Sequence, residues 1–245
     1  MTLTSHLPTT TPLSLHSATT HPFLRLAGLG QIRKPLLSQW LSQDRLYAQT
    51  YVRFIGLLLA KVQLPSTPSS KNEPTIHEKI LDVLIDALTN IRTELAFFEE
   101  VAAEYHLDLS AVPGGLEGQG QGQEGVSAAP ITQAYIDMFM SAGSPGASLL
   151  EGLVVLWATE VCYLRAWRFA GSFLEQGGGE DLDGGALRKR FIPNWASEEF
   201  EMFVGRIGGV VDELARAEGE GVGLGKCERW WRQVVWLEER FWPVV

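Results

Sequence analysis

The stretch KPLLSQWLSQDRLYAQTYVRFIGLLLAKVQ, residues 34–63, decides how the chain is read. Its apolar residues fall at Leu36, Leu37, Trp40, Leu41, Tyr47, Tyr51, Phe54, Ile55, Leu58 and Leu59. Gaps of three and four are the helical period. The same period returns after the proline-containing loop 64–75. There Pro74 and Thr75 open the helix IHEKILDVLIDALTNIRTELAFFEEVAAEYH. Further helices are expected at about 131–142, 146–174, 196–216 and 226–242. Apolar/polar alternation bounded by tight-turn dipeptides, the mark of a hairpin, is missing. The expected fold class is therefore all-α: a single-domain helical bundle of about seven helices.

Between the helices lie breaks of a different composition. Residues 111–130 are rich in Gly and Gln and read as a mobile insertion inside a domain spanning 21–245. Residues 175–185 and 217–226 are Gly-rich connectors. Residues 1–20 are Ser/Thr-rich and are expected to form a flexible N-terminal segment that is neither a secretory signal nor an Arg-bearing transit peptide.

Bulk properties narrow the function. The chain has 245 residues, 45% of them hydrophobic, enough for a sizeable core. Its net charge of −9 argues against nucleic acid or an anionic membrane as the main partner. Two distant cysteines, Cys162 and Cys227, form neither a disulfide framework nor a metal spacing, so a cytoplasmic protein with no bound metal and no cofactor is expected. Charges interrupt every apolar run before the length of a membrane span.

The chemistry is suggested by acids in apolar helices. Asp44 shares a face with Tyr47 and Tyr51, Glu160 with Tyr163 and Trp167; Glu238 has Trp242 one turn on, and Glu94 precedes Phe97 and Phe98. A carboxylate in apolar surroundings must be hydrogen-bonded, paired or protonated. Burial raises its pKa, which suits acid/base work. Carboxylates beside flat rings suit a planar, nitrogen-rich heterocycle, whose faces stack and whose amino groups donate. Each feature also has a plainer reading. Asp44 can pair with Arg45 or Arg53, Glu160 with Arg165 or Arg168, and Glu238 can lie on a solvated face. The aromatics can be core, and Cys162 an inert small hydrophobe.

In order along the chain, HPF (21–23), QDRLY (43–47), AYIDMF (134–139), NWASEEF (194–200) and EERFW (238–242) resemble the TenA/thiaminase II family, which has the heme-oxygenase-like helical fold. The resemblance implies a hydrolase acting on C–N bonds of aminopyrimidines from degraded thiamin, a homo-oligomer (dimer or tetramer), and a small-molecule partner. The common form of the family carries a nucleophilic Cys in a Pro-Cys motif. LWATEVCY (156–163) is instead similar to a variant branch reading Trp-Ala-x-Glu-x-x-Tyr, with Glu160 at the place of that Cys. Cys162 lies ~200° round the helix from Glu160, off its face. The resemblance assigns catalysis to Glu160, Glu238 and Asp44. Asp44 would hold the ring nitrogen and exocyclic amine, and Glu238 would protonate the leaving group. Tyr47, Tyr51, Phe98, Tyr135, Tyr163 and Trp195 would line the pocket. The competing readings are a non-catalytic pyrimidine-binding or interaction protein on the same fold, and a heme or quinone enzyme, for which His21 is the one histidine beginning a matching helix.

Overall fold

A computed structural model describes residues 1–66, 73–111, 127–219, 221 and 223–245, and among these it is helical with no strand. The long helices are α4 (Lys34–Leu59), α5 (Ile76–Tyr105), α6 (Pro130–Gly143), α7 (Leu149–Gly171), α9 (Glu198–Glu218) and α10 (Leu224–Phe241). Shorter ones are α1 (Leu3–Thr10), α2 (Pro12–Thr19), α3 (Pro22–Gly28) and α8 (Ile192–Trp195). The periodicity of the sequence places all six long helices.

Their starts have local causes. Thr75 and Glu78 form a reciprocal capping box at α5: the Thr75 backbone N–H donates to the Glu78 carboxylate at 2.6 Å, and the Glu78 N–H donates back to the Thr75 hydroxyl at 3.3 Å. Ser148 and Glu151 do the same at α7. At the end of α5, His106 takes the left-handed conformation, φ 55°, that closes many helices.

The segment 1–20, expected to be flexible, is helical and docked. Leu7 and Ala18 are fully buried, and the Thr4 backbone N–H and hydroxyl both donate to Asp212 on α9, at 2.9 and 2.7 Å. Its Ser/Thr-rich composition hid this, because the hydroxyls of Thr9, Thr10, Thr19 and Thr20 turn back onto carbonyls of their own helices and leave only a few apolar residues to signal burial. The Gly/Gln-rich insertion lies mostly at 112–126, outside the described residues.

Helix α7 is the axis of the molecule. Helices α10, α9, α3, α2, α8 and α6 pack on it, and its first half is buried all round, which is why Gly152–Ala158 is apolar on every face. Two apolar clusters meet along it. One gathers Phe54, Phe139, Leu153, Trp157 and Trp231 around α4, α6, α9 and α10. The other gathers Phe23, Trp40, Phe98, Trp167, Phe191, Trp195 and Trp242 around α3, α8 and the start of α4. The approach of α3 to α7 requires Gly28, since a Cβ there would stand 2.1 Å from the backbone oxygen of Ala170.

Ahead of α8 the chain makes a π-turn, Leu187–Phe191. Pro193 comes two residues later. Proline has no N–H to give the carbonyl four residues back and crowds it sterically, and the wider turn accommodates that break. No helical period marks this segment in the sequence, yet it delivers Asn194 and Trp195 to the site described below.

Phe139 is fully buried and stacks on Phe54 at 4.7 Å between centroids. Phe139→Ala is expected to lower unfolding free energy by about 3–5 kcal/mol in urea titration, the cost of a large cavity in a packed core.

Candidate functional site

Helices α4, α5, α7, α8 and α9 enclose a cavity of about 410 Å³. Helix α4 supplies Asp44, Tyr47 and Tyr51 from one face, since residues three and seven apart align. Helix α7 supplies Glu160 and Tyr163 by the same spacing, and α5 supplies Glu94 and Phe98. Trp195 of α8 closes a side, held by Phe191 stacked on it at 4.6 Å and by Tyr163 edge-on at 5.4 Å.

Seven of the nine residues expected at the site therefore line one cavity: Asp44, Tyr47, Tyr51, Phe98, Glu160, Tyr163 and Trp195. Glu238 and Tyr135 do not line it. They form a buried pair in which the Tyr135 hydroxyl donates to Glu238 at 2.7 Å, and the Tyr47 ring, edge-to-face on Tyr135 at 5.2 Å, separates them from the cavity. The leaving-group role expected of Glu238 requires contact with the ligand, and in this conformation Tyr47 intervenes. Glu94 was visible in the sequence as an acid beside aromatics but was given no place in the site. Its two hydrogen-bond donors come from α8, 100 residues on, and no local pattern announces them.

The plainer pairings do not form. Arg45 reaches Glu99 at 3.4 Å, and Arg168 grips Glu201 with two bonds of 2.6 and 2.7 Å. Glu238 is only 5% exposed, so its face is not solvated. Cys162 is buried in the core and does not line the cavity. His21 spends Nδ1 accepting the Phe23 backbone N–H at 3.2 Å, capping α3 away from the cavity.

The carboxylates lack cations. Asp44 is 4% exposed and accepts a hydrogen bond from the Tyr163 hydroxyl at 3.2 Å. Burial pushes it up to about 8, the charges of Glu94 and Glu160 adding and the Tyr163 bond opposing. Burial likewise lifts Glu160 to about 7, with Tyr51 holding it back and Glu94 adding. Glu94 rises to about 7 by burial, against the hydrogen bonds from Trp195 and Asn194. Behind the wall, Glu238 rises to about 8 by burial despite its bond from Tyr135. Among the described residues lining the cavity Arg206 is the one base; it is exposed and pairs with Asp86 at 3.0 Å. No group of His, Cys, Asp or Glu among the described residues has the arrangement of a metal site, and no helix there is long and apolar enough to cross a membrane.

Residues 8–245 match the TENA/THI-4/PQQC family. The chain belongs to that family. The resemblance drawn from five short motifs is thus a property of nearly the whole chain. A protein of Fusarium pseudograminearum named "Probable transcription factor" is 33% identical over 98% of this chain, which spans about half (51%) of that relative's length. A soybean (Glycine max) protein named "Probable bifunctional TENA-E protein" is 22% identical over 94% of this chain and 87% of its own. In fold, the chain is similar to the crystal structure of a TenA homologue from Pyrococcus furiosus, with TM-score 0.75, 24% identity and 98% of each chain covered.

Acids with raised pKa values bind more protons in the folded chain than in the unfolded one. Stability contributed by their protonated forms is complete below the ordinary carboxylate range and is lost as pH rises towards 7–8. The melting temperature is expected to fall between about pH 5 and pH 8.5, and Asp44→Asn should flatten that fall measurably in a pH series of thermal melts.

Proposed function

We propose that the protein is an aminopyrimidine hydrolase, cleaving the C–N bond of an aminomethylpyrimidine such as 4-amino-5-aminomethyl-2-methylpyrimidine, or of its N-formyl derivative. The observation that carries this reading is the convergence of Asp44, Glu94 and Glu160 on one ring-walled cavity with no cation of its own in the inner wall. Such a site favours a flat ligand rich in donors and positive charge.

Asp44, protonated near neutral pH, offers both an O–H and a carbonyl oxygen. That pair matches an aminopyrimidine edge: the O–H donates to a ring nitrogen, and the oxygen accepts from the neighbouring amino group. Tyr163, Trp195 and Phe98 supply faces and edges to the ring. For the amine, the reaction is R–CH2–NH3⁺ plus water giving R–CH2–OH plus ammonium. Glu160 populates both protonation states near neutrality, so it can take a proton from the attacking water and return one to the departing nitrogen. For the N-formyl compound the same exchange delivers water to the formyl carbon and a proton to the amine, releasing formate. Glu238, one ring behind the cavity, acts here as a positioning residue through Tyr135 and Tyr47. The soybean relative's name, a probable bifunctional TENA-E protein, supports a TenA-type role.

The second reading is a non-catalytic pyrimidine-binding or interaction protein on the same fold; the Fusarium relative, of which this chain spans about half, carries a regulator's name and not an enzyme's. Purified protein incubated with the amine and its N-formyl derivative separates the two, since tight binding without product selects the second. On the hydrolase reading, Glu160→Gln lowers kcat by about 10²-fold or more. Glu238→Gln produces a smaller loss with the pH–rate profile kept. Full turnover in Glu160→Gln would remove Glu160 from the chemistry.

A further inference from the structure

Glu94 is built differently from the other acids. Its two oxygens are held separately: Oε1 accepts the Trp195 indole N–H at 2.5 Å, and Oε2 accepts the Asn194 side-chain N–H at 3.2 Å. Both donors sit on α8, the short helix set by the π-turn, whereas Glu94 comes from α5. A carboxylate has about four acceptor positions, so roughly two are left free. Its orientation is fixed by those two bonds, one of them from a buried indole. It forms no ion pair among the described residues. Arg206, the base at the rim, is directed to Asp86. A carboxylate that is oriented, half-buried and without a cation, on the wall of a cavity, is arranged to receive a positive group from the ligand.

The division of labour among the acids narrows which group that is. On the hydrolase reading, Asp44 is engaged by the edge of the pyrimidine ring and Glu160 by the proton transfers. Glu160 reaches the scissile nitrogen only to exchange a proton, and Glu94, on the wall of the same cavity, is the remaining acid with free acceptor positions for that nitrogen's positive charge. We propose that Glu94 is a specificity-determining residue: it takes the ammonium group of the aminomethyl substituent and makes the site prefer the free amine over its uncharged N-acyl or hydroxymethyl counterparts. This rests on the pyrimidine reading of the cavity and adds a ligand charge to it. Trp195 then has two tasks, as a ring wall and as the donor that aims Glu94. A phenylalanine there would supply the first alone.

The test is calorimetric titration of the slow Glu160→Gln protein, alone and combined with Glu94→Gln or Asn194→Ala, with three ligands: the aminomethylpyrimidine, its N-formyl derivative and the hydroxymethyl analogue, at a pH where the amine is protonated. Glutamine keeps the size of the side chain and an acceptor for the indole N–H. Glu94→Gln is expected to weaken the amine about ten- to hundredfold, the loss of a charge-assisted hydrogen bond, and to change the two neutral ligands no more than about twofold. Asn194 is exposed, so its alanine variant is safe for folding; it should show a smaller loss, again confined to the amine. Equal losses for charged and neutral ligands, or no loss for the amine, would overturn the assignment. If Glu94→Gln does not fold, as thermal melts would show, the ligand pattern of Asn194→Ala decides. If neither the Glu160→Gln protein nor wild type binds any of the three, the pyrimidine reading itself is sunk, an outcome distinct from a binding site that ignores charge.

Discussion

Taking Asp44, Glu160 and Glu238 out of water with no cation beside them is the constraint on which the rest of the structure turns. An isolated ionised carboxylate in an apolar interior is so unfavourable that the group holds its proton instead. Asp44 and Glu238 do so near neutral pH and Glu160 does so in part, and each is steadied by a phenol: Tyr163 donates to Asp44, Tyr135 donates to Glu238, and Tyr51 lies against Glu160. The acids also repel one another, so ionising one makes the next harder to ionise. A cationic guest in the cavity would relieve the cost at Asp44 and Glu160, which line it, more than a neutral guest would.

Holding such a site open takes a scaffold that does not collapse on it. The two apolar clusters provide this by packing on opposite stretches of α7, leaving Glu160 and Tyr163 at the place where the first cluster gives way to the second. The Trp-rich cluster is densely packed: Trp40 meets Trp167 edge-on and stacks on Trp242, and Trp195 stacks on Phe191 and meets Trp167 at a tilt. Trp195 belongs to that cluster and also walls the cavity, so core packing fixes one of the surfaces the ligand would meet.

Family membership and fold speak to architecture more than to chemistry. A chain can keep the bundle and change the reaction, because function resides in the site. By the resemblance of LWATEVCY, Glu160 stands at the place of the family's cysteine; the nearby thiol of Cys162 is packed into the core with burial raising its pKa, the opposite of what a nucleophilic thiolate needs. A carboxylate close to neutral pKa performs proton transfer well, which is what the proposed hydrolysis asks of Glu160.

The helices were legible in the sequence because a helix that buries a face must repeat apolar residues every three to four positions, and that pattern is local. The acid–aromatic faces at 44/47/51 and 160/163 were legible for the same reason. What the sequence could not carry were relations between distant segments. The docking of residues 1–20 rests on Asp212, the exclusion of Glu238 and Tyr135 from the cavity on the Tyr47 ring, and the setting of Glu94 on α8. Periodicity tells which side of a helix is buried, but not whether a buried acid meets a cavity or another side chain. That is decided by which helix lies opposite, a matter of packing between residues about 100 to 200 positions apart.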